Sequence, residues 1–254
     1  MKINEITSRK NSSILWALSL HDKKARDNEG VFFTEGKKLY LEGIERGLLP
    51  EKVFVTKEAL DLLKDVSGKE IFLVTNEVYN KITDEKSPEG IFAVFKKPVF
   101  ELKKEKSALL LLEGIQDPGN LGTLLRTAVA FGMGEVILVN CADVFSPKTV
   151  RSAMGAVFKI STKNFSSIDQ AVFYAREKSD SIIATALHTE SLDIRDVDTS
   201  YSTVMIGSEG RGLSDRAIEL ADKKVIIPIT DTESLNAGVA GAIFMYDSMV
   251  KRKK

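Results

Sequence analysis

Residues 108–112 read Ala-Leu-Leu-Leu-Leu, and after Glu113-Gly-Ile-Gln the chain reaches a turn-forming Asp117-Pro118-Gly119-Asn120. An apolar run without polar alternation predicts a strand covered on both faces, as in a parallel sheet. Beyond the turn the apolar residues Leu121, Leu124, Leu125, Ala128 and Val129 recur at helical spacing, with Arg126 on another side. A strand that ends in a polar loop at a helix start is where open α/β sheets hold their ligands. That arrangement restricts the second half of the chain to a strand–helix–strand architecture with its chemistry at one edge.

Two further loops have the same character. Gly207-Ser-Glu-Gly-Arg-Gly212 follows the apolar run ending at Ile206, and Asp231-Thr-Glu-Ser-Leu-Asn236 follows Ile226-Ile-Pro-Ile229. Taken singly, the first is a permissive glycine turn, and Ser234 or Asn236 caps the final helix. Three in order along one half of the chain predict a composite site.

Probable strands at 108–112, 135–139, 181–186, 202–206 and 224–227 alternate with helices, the last over 237–251. The first half alternates too. Helices are predicted over 12–26 and 36–46, and short strands at 31–34, 53–55, 71–74 and 90–95, as in βαβ units. Residues 98–106 mix charge with Pro98 and form a linker between a smaller α/β domain, 1–97, and a larger one, 107–254. The fold class is α/β.

Composition narrows the function. Among 254 residues, 43% apolar and 28% charged, the formal net charge is zero, so nucleic-acid binding has to come from local patches. A single cysteine, Cys141, forbids an intramolecular disulfide and fits a reducing cytoplasm. No span long enough for a bilayer and no secretion signal is expected. With two histidines, His21 and His188, far apart in sequence, neither an ordinary zinc site nor a hydrolase triad of Ser208 or Ser234 with His188 is expected. Dinucleotide and P-loop fingerprints are missing.

The residues Asn120-Leu-Gly, Arg126-Thr-Ala and Phe131-Gly132, then Gly207-Ser-Glu-Gly-Arg-Gly212, then Ile227-Pro228 with Ser234-Leu-Asn236, resemble the three ordered motifs of the SpoU family. These are S-adenosylmethionine-dependent RNA ribose 2′-O-methyltransferases of the SPOUT superfamily. Residues 146–158 resemble the family's segment between motifs. Arg26, Phe33-Thr-Glu-Gly-Lys37, Thr83 and Ser87-Pro-Glu-Gly90 resemble, more loosely, an L30e-like substrate-binding domain. The resemblance implies a parallel-sheet domain with a C-terminal trefoil knot and a homodimer. Free topology rules argue against knots; here the resemblance overrides them.

The resemblance also implies roles. Asn120, Arg126, Glu209, Ser234 and Asn236 form the catalytic set. Thr185, Ala186, Leu187, Gly207, Gly210, Ile227, Leu235 and Asn236 line the S-adenosylmethionine pocket, without metal. Arg9, Lys10, Lys23, Lys24, Arg26, Lys37, Lys148 and Arg151 are candidate RNA contacts. Guanidinium groups stay protonated at ordinary pH, so binding of the neighbouring phosphate is the preferred role for Arg126, with a general base as the alternative. The front domain favours ribosomal over transfer RNA. A catalytically silent RNA-binding or ribosome-assembly protein is the reading from another class.

Overall fold

The computed structural model describes residues 3–62, 67–100, 105–186, 190–231 and 234–252. Its contacts fall into two compact units: Met1–Pro98 with Phe145–Phe158, and Val99–Val144 with Lys159–Lys254.

In the first unit the elements are β1 (Ile3–Ile6), α1 (Ser12–Ser19), α2 (Lys23–Glu29), β2 (Val31–Glu35), α3 (Lys37–Glu45), β3 (Lys52–Val55), α4 (Lys57–Leu62), β4 (Glu70–Val74), α5 (Asn76–Ile82) and β5 (Ile91–Lys96). The strands form one sheet in the order β1-β4-β3-β5-β2. β1, β4 and β3 run parallel, while β5 is antiparallel to both β3 and β2.

The single helix predicted over 12–26 is two. Leu20 closes α1, and the Asp22 carboxylate accepts from Lys24 N at 2.8 Å to start α2. Helix ends leave carbonyls without intrahelical partners. Arg26 supplies them, donating to Leu20 O at 2.6 Å and His21 O at 2.8 Å from a site only 2% exposed.

One face of this sheet buries Phe33, Phe54, Phe72 and Phe92, the Phe33–Phe92 pair stacked with centroids 4.4 Å apart. On the other face, Phe32 meets Phe95 at 6.1 Å, Phe145 at 4.9 Å and Phe158 at 5.4 Å. Phe145 and Phe158 bracket a short helix far along the sequence, which is why residues 145–158 cluster with the front of the chain.

The remaining elements are β6 (Leu109–Glu113), α6 (Pro118–Ala130), β7 (Glu135–Val139), α7 (Pro147–Ala153, in the first unit), β8 (Ser161–Phe165), α8 (Ile168–Arg176), β9 (Ile182–Thr185), β10 (Leu192–Asp193), β11 (Thr203–Ile206), α9 (Asp215–Leu220), β12 (Lys223–Ile226) and α10 (Ala237–Arg252). Seven strands form a sheet in the order β10-β12-β9-β11-β6-β7-β8, every pair parallel. β6 sits inside it, and Leu109, Leu110, Leu111 and Leu112 are no more than 1% exposed. From β6 the chain builds outward through β7 and β8, then returns to the other side, where β11 pairs with β6. The reversal point of a doubly wound sheet leaves a crevice outside the strands' carboxyl ends. Here it lies between β6 and β11.

Two helices frame that crevice. Asp117 caps α6 through Asn120 N at 2.8 Å, with Pro118 in the first turn. Asn236 Oδ1 caps α10 by accepting from Gly238 N at 2.9 Å and Val239 N at 3.2 Å. α10 lies along α6 in the same direction. Asn236 meets Asn120 at their starts, and Arg252 donates to Phe131 O and Gly132 O at their ends, at 2.6 and 2.7 Å. Gly241 permits the approach, because a Cβ there would collide with Leu124.

Candidate active site

The crevice collects one residue from each of the three loops. Glu209 Oε1 accepts from Asn120 Nδ2 at 2.7 Å and, in a short contact, from Asn236 Nδ2. Asn236 Nδ2 also lies 3.4 Å from Asn120 Oδ1. Because the Asn236 oxygen is held by the α10 backbone, its amide nitrogen has to face the carboxylate. The tip that carries Glu209 is pinned by a two-way bridge, Ser208 N to Gly212 O at 3.2 Å and Gly212 N to Ser208 O at 2.8 Å. Gly207 sits against this bridge so closely that a Cβ would overlap the Gly212 backbone, and Gly212 adopts a left-handed φ of 69°. Gly207 and Gly212 are therefore geometric needs of the loop, whereas a Cβ on Gly210 would meet open space.

Beside this cluster is a cavity of about 390 Å³, within the range that holds small-molecule cofactors. Its walls are apolar at the strand ends, with Ile206, Val225, Ile227 and Leu235 among them and Phe244 of α10, and Glu209 and Ser234 stand at polar positions. Thr185 and Ala186 line it, and the Thr185 hydroxyl is turned aside to Met205 O at 2.8 Å. Gly210 borders a neighbouring cleft of about 570 Å³, lined also by Glu113, Gln116, Asp117 and Asn120. Glu209 and Arg211 belong to both walls. Leu187 and His188 lie outside the described residues, while His21, in the first unit, is engaged by Asp84 at 3.0 Å and Ile82 O at 2.8 Å.

Arg126 is not drawn into the cluster. It is exposed on α6, six residues beyond Asn120, and has no hydrogen-bond or ion-pair partner among the described residues. Helical geometry puts it about 9 Å along the axis and about 120° round from Asn120.

The candidate RNA contacts divide. Lys10, Lys24 and Lys148 are exposed. Arg9 pairs with Glu77 at 3.6 Å, Lys23 with Asp27 at 2.6 Å, and Arg151 with the buried Glu35 at 3.5 Å. Lys37, exposed at the start of α3, gives its backbone N–H to Glu89 at 2.6 Å. Arg26 needs correction: buried and committed to the carbonyls of α1, it presents no guanidinium to a phosphate. The sequence reading missed Phe244, Arg211 and Val225 as cavity walls; only Arg211, inside a recognised loop, carried any signal. Among the described residues no group of three or more His, Cys, Asp or Glu is placed to hold a metal, and no helix is long and apolar enough to cross a membrane.

Comparison with known proteins agrees with this geometry. Residues 107–246 match the SpoU rRNA methylase family, and residues 11–93 match the MRM3-like substrate-binding domain. A 23S rRNA (guanosine(2553)-2'-O)-methyltransferase of Bacillus subtilis is 30% identical over 247 residues, covering 96% of this chain and 98% of its own. A 23S rRNA (uridine(2479)-2'-O)-methyltransferase of Streptomyces viridochromogenes is 26% identical, covering 97% and 92%. The AdoMet-bound rRNA methyltransferase from Sinorhizobium meliloti superposes with a TM-score of 0.84 at 28% identity, over 97% of each chain. With its motifs joined at the crevice of a parallel sheet and this family match across its second half, the chain belongs to the SpoU rRNA methylase family.

Proposed function

We propose that the protein transfers a methyl group from S-adenosylmethionine to a ribose 2′-hydroxyl of large-subunit ribosomal RNA. The observation that carries this reading is the Asn120–Glu209–Asn236 cluster at the lip of the apolar cavity. The cavity suits the cofactor: Ile206, Val225, Ile227 and Phe244 offer apolar surface to an adenosyl group, and Glu209 faces its mouth with negative charge. S-adenosylmethionine supplies a methyl already activated on a sulfonium. What remains for the protein is to align the hydroxyl and help remove its proton. Glu209 holds both amides, so Asn120 is fixed for contact with the target nucleotide and Asn236 ties that arrangement to α10. Arg126 acts from the RNA side as a phosphate-binding cation that lowers the hydroxyl's pKa.

Ribosomal RNA is favoured over transfer RNA by the named activities of both relatives and by the match of the front of the chain to a substrate-binding domain. Those relatives modify different nucleotides, so the family match leaves the target position open. A homodimer is part of the proposal. Val239 is 49% and Tyr246 54% exposed on α10, with Ile243 half-buried between them, an apolar stripe for a partner to cover. A second copy covering it would complete the site. The trefoil knot of the family and a cytoplasmic location belong to the same reading.

The test is twofold. Titration calorimetry with S-adenosylmethionine in EDTA should show binding, and tritium should pass from the labelled cofactor to 23S-type RNA in alkali-stable dinucleotides. Binding without transfer to any RNA would favour the silent RNA-binding reading; no binding at millimolar cofactor would overturn the proposal.

A further inference from the structure

The proposed reaction uses the carboxyl ends of the strands. At the amino ends of β6, β7 and β8 there is a second cavity, of about 540 Å³, which that reaction does not require. Leu109 and Glu113 mark the two ends of β6, about 13 Å apart at the rise of an extended strand. Parallel sheets ordinarily keep ligands at the other edge, so a cavity here needs its own account.

Its walls concentrate charge in a chain whose net charge is zero. Lys106, Lys159, Lys178 and Arg252 line it, against Glu105 and Glu135. Glu135 is spoken for, since its two oxygens accept from the hydroxyls of Ser161 and Tyr174, each at 2.7 Å. Lys106 is partly engaged, donating to Ser179 O at 2.5 Å with Asp180 at 3.6 Å. Arg252 is anchored on Phe131 O, Gly132 O and Ser248 O, so its position is set before any ligand arrives. Burial pushes the Arg252 pKa down, the direction expected of a cation short of solvent, and a neighbouring anion would offset that cost. In the sequence Lys253 and Lys254 follow directly.

The floor is different in kind. Leu109, Met133 and Ile160 are buried apolar side chains, and the Tyr201 ring, 42% exposed, stands at the wall. Cations beside an apolar floor with an exposed aromatic ring are what single-stranded nucleic acid uses, phosphate on the former and base on the latter.

We propose that this basal cavity takes one nucleotide unit, its base on Tyr201 and the apolar floor and its phosphate among Lys159, Lys178 and Arg252, as a second RNA contact remote from the methylated ribose. The inference rests on the reading of RNA as substrate. The same chemistry would also admit a free nucleotide, and the experiment separates the two.

Full-length protein is saturated with S-adenosylhomocysteine, so that the adenosyl cavity is filled, and titrated with fluorescein-labelled hexauridylate or with uridine monophosphate as competitor. Tyr201→Ala should weaken hexauridylate binding about tenfold, and Tyr201→Phe should restore it. Lys159→Ala with Lys178→Ala should flatten the dependence of log K on log salt by about 1.4, about 0.7 for each phosphate contact on a single strand. S-adenosylhomocysteine affinity, unchanged in all variants, shows that they fold and separates this outcome from failure of the methyltransferase reading. Competition by uridine monophosphate that these substitutions abolish assigns the cavity to free nucleotides as well; its absence assigns it to the RNA strand alone. Variants that bind both probes like the parent protein, or a parent that binds neither, would overturn the proposal.

Discussion

Replacing Glu209 separates two roles that its position allows, holding neighbours in place and acting on the reacting atoms. One carboxylate oxygen receives both amide bonds, from Asn120 at 2.7 Å and from Asn236. Hydrogen bonds to a charged acceptor contribute about 1.5–3 kcal/mol each. In a solvent-open cleft the lower figure applies, so Glu209→Ala forfeits about 3 kcal/mol of positioning, roughly 150-fold in rate at about 1.4 kcal/mol per decade. Glu209→Gln keeps an oxygen for both amides and loses only the charge, which accounts for about half of such a bond; the loss should then be about tenfold. Single-turnover transfer from tritiated S-adenosylmethionine measures both, with calorimetry to show that cofactor binding persists. The Ser208–Gly212 bridge holds the loop without the Glu209 side chain. If Gln and Ala were equally inactive, the charge itself would be acting in the chemistry and the positioning argument would fail.

Other outcomes follow from the same geometry. Arg126→Ala should abolish methyl transfer while calorimetry finds cofactor affinity intact; near-normal turnover would remove Arg126 from the site. Tyr246→Glu puts a charge on the exposed stripe of α10; sedimentation at micromolar concentration should find the parent a dimer and the variant a monomer. Phe158→Ala empties one place in the aromatic cluster on Phe32 and should cost about 3–5 kcal/mol in urea unfolding. Glu85 is raised above its usual pKa, first by burial and then by Glu35. The unfolded chain ionises this carboxyl more readily than the folded one, so stability falls as pH climbs from the ordinary carboxylate range through the raised value, and the cost persists above it. Glu85→Gln should therefore raise Tm at pH 8 and leave it unchanged near pH 4, as followed by scanning calorimetry.

The sequence discloses the second sheet's interior because burial on both faces leaves an unmistakable apolar signature, as at residues 109–112 and 135–139. Three of the four edge strands leave none; β2, buried throughout, is the exception. Ser161–Phe165 is half-buried and polar, Leu192–Asp193 spans two residues, and Ile3–Ile6 buries only Ile6; all three went unread. In the site, the three polar loops were legible at strand ends, while the choice of Asn120, Glu209 and Asn236 within them came from the resemblance to the family's motifs. Phe244 was not legible, since an apolar residue on an apolar helix face carries no mark of which cavity it meets. Arg26 shows the opposite limit. A basic residue in a basic stretch reads as surface, and only the break between α1 and α2 creates the carbonyls that bury it.

The packing of Phe145 and Phe158 against Phe32 has a consequence for building hybrids of this protein. The polypeptide passes between its two compact units at 98/99, 144/145 and 158/159. A chimera joined only at the linker would give a foreign front half a Phe145–Phe158 segment shaped for another sheet, and would leave Phe32 and Phe95 of the donated half without their own aromatic partners. Transplanting substrate preference from one relative to another therefore calls for moving two separate stretches of sequence together, and drift in either one constrains the other.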